Sequence, residues 1–101
     1  MDLTDAIKNH VENKLGALEK FFGGVEGVDA SVEVGKTTEH HQKGKIFFCE
    51  VHLVIPGRET VRAREVEEDL YVATDRVRHD LQRQLVDLKE KRIARERMDR
   101  G

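Results

Sequence analysis

Residues Glu67–Lys91, EEDLYVATDRVRHDLQRQLVDLKEK, carry an unbroken helical repeat. Leu70, Ala73, Val77, Leu81, Leu85 and Leu88 follow one another at three- and four-residue intervals, which places them along one stripe of a helix. The pattern predicts a helix from about Asp69 to Ala94. A stripe of that length has to be buried against another layer, and the residues just upstream supply one. Val61 and Ala63 alternate with Thr60, Arg62 and Arg64, so a strand over about 59–66 has one apolar face and one wet face.

Moving further out, Pro56-Gly57 suits the centre of a type II turn, because proline presets one dihedral and glycine accepts the positive one. Before it, Phe47, Cys49, Val51, Leu53 and Ile55 form one face of a strand over about 45–55, with Ile46, Phe48, Glu50, His52 and Val54 on the other. The polar run 38–44 reads as a hairpin loop. It is preceded by a strand over about 28–37, in which Val28, Ala30, Val32 and Val34 are expected to face the core. The first helix is expected from Thr4, a good N-cap, to Phe22, with Ile7, Val11, Leu15, Leu18 and Phe22 as its stripe and Gly23-Gly24 as its stop. Gly16 weakens that helix by up to about 1 kcal/mol. The order α-β-β-β-α predicts an α+β fold in which an antiparallel sheet carries both helices on one face. Residues 1–94 are expected to form a single domain and 95–101 a frayed basic tail.

The chain has 101 residues, 38% hydrophobic and 38% charged, a composition that fits one soluble domain with a modest core. No apolar run is long enough to span a bilayer, and the start MDLTDAIKNH lacks the basic and apolar regions of a secretory signal. A cytoplasmic location is expected. Cys49 is the single cysteine, consistent with a reducing compartment. The formal net charge of −2 hides an asymmetry: residues 1–75 hold 9 Lys/Arg against 15 Asp/Glu, whereas 76–101 hold 9 against 5. Positive potential therefore collects on the second helix and the tail.

Neither catalysis nor a metal site is expected. No nucleophile has an adjacent base, and no glycine-rich phosphate loop is present. His40-His41 are adjacent on a loop, with His10, His52, His79 and Cys49 scattered elsewhere, and no metal-ligand spacing links them. No cofactor or small-molecule substrate is expected, and Cys49 reads as a small core residue. Arg62 and Arg64 share the outer face of the last strand, near Arg58, Lys43 and Lys45. Beside Phe48 and His52 they suit stacking on bases, or else cross-strand pairing with Glu33 or Glu50. On the second helix Arg76, Asp80, Arg83, Asp87 and Lys91 lie away from the apolar stripe. The Arg76–Asp80 and Arg83–Asp87 spacings suit i,i+4 ion pairs.

The same stretch resembles the last helix of the ribosome hibernation-promoting factor and ribosome-associated inhibitor A family. That pattern, D-[ML]-Y-x-A-x-D and then L-x-R-Q-L-x-x-x-K-x-K, is matched by Asp69, Leu70, Tyr71, Ala73, Asp75, Leu81, Arg83, Gln84, Leu85, Lys89 and Lys91. Leu3-Thr4-Asp5-Ala6-Ile7 matches the start of the family's first helix. The resemblance covers nearly the whole chain and is specific mainly at these two places. It implies a short-form member, in which a family strand preceding the first helix has no counterpart. A sheet edge left open in that way is expected to lower stability or to favour self-association.

The resemblance further implies a non-enzymatic factor. Such a factor binds rRNA of the small ribosomal subunit near the decoding region and blocks translation by steric occlusion. The residues it implies in RNA contact are Arg62, Arg64, Arg76, Arg83, Lys89, Lys91 and Arg92. Family members usually carry lysine where this chain has Asp80 and Asp87, a departure that weakens attraction to phosphate. Two other functions fit the bare element order. A double-stranded-RNA-binding module is one, although it expects lysines where this chain has Glu67-Glu68-Asp69. A protein–protein adaptor using the open sheet edge is the other.

Overall fold

In this computed structural model, which describes residues 4–37, 44 and 46–100 but not the side chains of 99 and 100, five main elements follow one another. They are α1 (Asp5–Gly16), β1 (Asp29–Lys36), β2 (Phe47–Val54), β3 (Val61–Glu67) and α2 (Leu70–Arg100), with a 3-10 turn at Glu19–Phe21. The expected α-β-β-β-α order is the observed one. Thr4 caps α1 as its residue type predicts: the Ile7 N–H donates to Thr4 Oγ1 at 3.2 Å.

The first helix stops at Gly16, six residues short of the expected end at Phe22. The Leu18 N–H bonds to the Leu15 carbonyl at 3.0 Å, which tightens the chain into the 3-10 turn and drops Leu18 into the core with no exposed surface. Glycine's weak helix propensity at position 16 eases the break.

The sheet is antiparallel in the order β1-β2-β3. Val51 pairs with Val32 on one side and Ala63 on the other, so all three point toward the helices. Cys49, Val51, Leu53, Ile55, Val61 and Ala63 are buried against Leu18, Ala73, Val77, Leu81 and Leu85. Each such leucine or valine contributes roughly 1.5–3 kcal/mol on burial. A second cluster of Ile7, Val11 and Leu70, with Val34 and Phe47 beside it, joins α1 to α2 and to one end of the sheet. The β2–β3 turn closes through the Arg58 N–H donating to the Ile55 carbonyl at 2.9 Å, with Gly57 at φ +74°, in keeping with the expected Pro56-Gly57 turn.

Two further expectations need correction. Ala30 and Val32 lie on the inner face by register, yet both are exposed, Val32 by 41%. α2 covers β2 and β3, and Val34 of β1 packs beside Ile7 and Val11 of α1. α2 also runs to Arg100, past the expected end near Ala94. Residues 89–100 have lost the apolar stripe but are rich in Lys, Arg and Glu, which are good helix formers without tertiary support. The expected hairpin loop falls outside the described residues except for Gly44. No described helix is long and apolar enough to cross a membrane.

Candidate nucleic-acid interface

α2 lies along β3, and its side chains touch that edge strand at intervals of about one turn. Near the start, Arg76 Nε reaches Glu67 Oε1 at 3.0 Å. One turn on, Asp80 sits beside Glu65, and at the next turn Gln84 Nε2 donates to the Arg62 carbonyl at 2.7 Å. This row ties the edge of β3 to the helix. It also carries α2's other faces to opposite fates, with the apolar stripe inward and Arg83, Asp87, Lys89 and Lys91 exposed.

The seven arginines and lysines anticipated for RNA contact fall into three settings. Arg83, Lys89 and Lys91 are exposed on α2. Arg83 donates to Asp80 Oδ1 at 3.3 Å, three residues back. The ion pairs found on this face are thus Arg83–Asp80 and Arg76–Glu67; the i,i+4 pairs expected at Arg76–Asp80 and Arg83–Asp87 are not the ones formed. Glu67 offers a better partner because it is almost fully buried, and a buried carboxylate gains more from a nearby cation than an exposed one does. Arg76 is therefore committed to the fold. Strand alternation, carried one residue past the expected end at 66, places Glu67 inward with Val61 and Ala63; its pairing with Arg76 depends on how α2 sits against β3.

Arg62 and Arg64 point out from the opposite face of the sheet. The Arg64 guanidinium lies 4.8 Å from the Phe48 ring centre, and its Nε lies 3.6 Å from Glu50 Oε1. Glu50 Oε2 also meets His52 Nε2 at 3.3 Å. The cross-strand pair with Glu50 thus forms at Arg64, and Phe48 is covered by that guanidinium. Arg62 is exposed next to His52 in register. Because the Arg62 carbonyl is held by Gln84, next in sequence to Arg83, the sheet patch and the helix patch meet around the β3 edge. Arg92 is in neither setting. It is half-buried at the far end of α2, near Gly23.

Acidic groups interrupt the positive surface. In the shallow hollow formed by Glu65, Val72, Asp75, Arg76, His79 and Asp80, burial pushes the Glu65 carboxyl upward, reinforced by the adjacent Asp80. Asp69 accepts the Val72 N–H at 2.8 Å and so serves the start of α2. Tyr71 is exposed on one side and stacks edge-on against His10 of α1 at 4.8 Å. His10 in turn contacts Asp75 at 2.8 Å. Cys49 is fully buried, and burial raises its thiol, outweighing the lowering influence of the neighbouring Thr74 hydroxyl. Among the described residues no group of three or more His, Cys, Asp or Glu is placed to hold a metal ion. His40, His41, Lys43 and Lys45 lie outside the described residues.

Residues 1–93 match the family described as Sigma 54 modulation protein / S30EA ribosomal protein. The chain belongs to this family. A Staphylococcus aureus (strain COL) member named Ribosome hibernation promotion factor is 35% identical over 102 aligned residues. That alignment spans all of this chain and 50% of the relative, so the chain spans about half the length of the curated relative it matches. The solved N-terminal domain of Thermus thermophilus Protein Y superposes with a TM-score of 0.65 at 32% identity, covering 84% of each chain. A structure described as a ribosomal subunit interface protein from Coxiella burnetii gives a TM-score of 0.66 over 89% of each chain. At 21% identity it speaks to the fold alone.

Proposed function

We propose that this protein is a ribosome hibernation factor that binds the small ribosomal subunit near the decoding region and halts translation by occupying space. The observation that carries this reading is the family match over residues 1–93, joined to an α2 surface on which Arg83, Lys89 and Lys91 stand exposed. Lysine and arginine side chains on a rigid helix anchor the wedge to rRNA phosphates, and the bulk of the sheet and helices excludes mRNA or tRNA. The action needs no bond to be made or broken. It places the protein in the cytoplasm, with rRNA as its contact and Arg62, Arg64, Arg83, Lys89, Lys91 and Arg92 as the contributing cations. Arg76 contributes potential while remaining on Glu67.

The test is co-sedimentation of the purified protein with small subunits at two salt concentrations, alongside translation in a cell-free system. Salt-sensitive binding with inhibition supports the reading. Equal affinity for any duplex RNA would instead favour a double-stranded-RNA module, which the acidic residues Glu67, Glu68 and Asp69 at the start of α2 disfavour.

One observation favours a second activity beside the first. β1 is an edge strand whose inner-face Val32 and Ala30 are exposed, and such an edge accepts another strand. Self-association through β1 is the corresponding proposal, read by sedimentation velocity over a concentration series.

A further inference from the structure

Three arginine nitrogens converge on the loop that follows the 3-10 turn. A β-carbon placed on Gly23 would stand 3.2 Å from Arg58 Nη1, 3.5 Å from Arg58 Nη2 and 3.6 Å from Arg92 Nη2. The two side chains come from distant parts of the chain. Arg58 closes the β2–β3 turn and Arg92 belongs to the last third of α2. Both are half-buried. Among the described residues, neither makes an ion pair with a carboxylate, whereas Arg64, Arg76 and Arg83 each do.

Two guanidiniums held over one stretch of backbone repel each other and lose part of their hydration. An anion between them relieves both effects. Phosphate is the anion that suits the geometry best, because its tetrahedral oxygens accept the paired N–H groups of a guanidinium fork. The bare α-carbon of Gly23 lets the Arg58 guanidinium approach the loop, since a β-carbon there would stand 3.2 Å from Arg58 Nη1.

We propose that Arg58, Arg92 and the Gly23 loop form a phosphate clamp that grips one backbone phosphate of ribosomal RNA. The inference rests on the proposed function for the source of the phosphate, and on the geometry alone for the chemistry. It adds a contact at the end of the molecule remote from the start of α2, formed by three segments that come together only in the fold.

Two measurements on the full chain separate the inference from the reading it builds on. In the first, the arginine side-chain N–H resonances are followed by NMR while inorganic phosphate is titrated against sodium chloride at equal ionic strength. Arg58 and Arg92 are expected to shift together and saturably, with the exposed Arg95 and Arg97 as controls. The Arg58→Lys variant, which keeps the charge and loses the fork, should abolish the saturable shift at Arg92. Responses at Arg58 and Arg92 no different from those of Arg95 and Arg97 would overturn the clamp, whether or not ribosomes are bound.

In the second, small-subunit affinity is measured against salt for the wild type, Arg58→Ala, Arg92→Ala and the double variant. Each single variant should weaken binding roughly tenfold and reduce the slope of log affinity against log salt by about one. The double variant should be little worse than either single one, because both residues serve the same phosphate. Wild-type binding left unchanged in all three variants would overturn the assignment to RNA. Failure of the wild type to bind subunits would instead contradict the proposed function and leave the phosphate titration as the judge of the clamp.

Discussion

Arg76 and Arg83 stand seven residues apart on α2 and look equivalent in the sequence, yet they do different work. Arg76 neutralises the buried Glu67 at 3.0 Å, whereas Arg83 meets only Asp80 and leaves most of its side chain in solvent. Arg76→Ala is therefore expected to lower unfolding free energy by about 1–3 kcal/mol in urea titrations, and Arg83→Ala to change it by less than about 0.5 kcal/mol. Binding should sort the residues the other way. Arg83→Glu should weaken attachment to small subunits, and Asp80→Lys combined with Asp87→Lys should strengthen it, both with unchanged circular dichroism. Indifference of binding to all three changes would remove the outer face of α2 from the contact surface. Glu65 gives a pH-dependent prediction. Because its folded-state value lies above the ordinary 4.5, the stability it contributes is complete below pH 4.5 and is lost as pH rises through the raised value. Glu65→Gln escapes that loss, so its melting temperature should gain on the wild type between acid and neutral pH. A constant difference across that range would contradict the Glu65 assignment.

At the scale of elements, local chemistry was readable and coverage was not. Thr4 capped α1, Pro56-Gly57 turned the chain, and the stripe from Leu70 to Leu85 went into the core, because each follows from residues within a few positions of one another. Thr4→Ala should accordingly cost about 0.5–2 kcal/mol in thermal or urea unfolding. The alternation of Ala30, Val32 and Val34 correctly assigned a face, but alternation cannot report whether a helix lies over that face. Two helices cannot cover three strands evenly here, and β1 is the strand left partly bare. The early end of α1 was hidden for a similar reason. Leu18 fits the helical stripe by spacing and is buried, but the chain tightens into a 3-10 turn after Gly16, which the stripe does not announce. The candidate interface was legible as residue types and only partly as geometry. Arg83 and Lys91 lie on the outer face that periodicity predicts, whereas Lys89 is exposed on another side of the helix. The diversion of Arg76 to Glu67 and of Arg92 toward Gly23 depends on how α2 sits against β3, which no local pattern encodes.

The whole molecule is a weakly acidic protein whose positive charge is gathered at its C-terminal end, with 9 Lys/Arg against 5 Asp/Glu in residues 76–101. Attraction to a polyanion must then be local and sensitive to ionic strength, since the net charge of −2 gives no long-range pull. The exposed β1 edge sets a second expectation at this scale. Val32→Lys should abolish any concentration-dependent dimer seen by sedimentation velocity while leaving subunit binding intact. The central claim is that this fold carries its cations to small-subunit rRNA and acts by occupancy. It is tested most directly by the affinity of the purified protein for isolated small subunits between low and physiological salt. The account predicts tight binding at low salt that falls steeply as salt rises and that duplex RNA does not match. Absence of binding to small subunits even at low salt would contradict it.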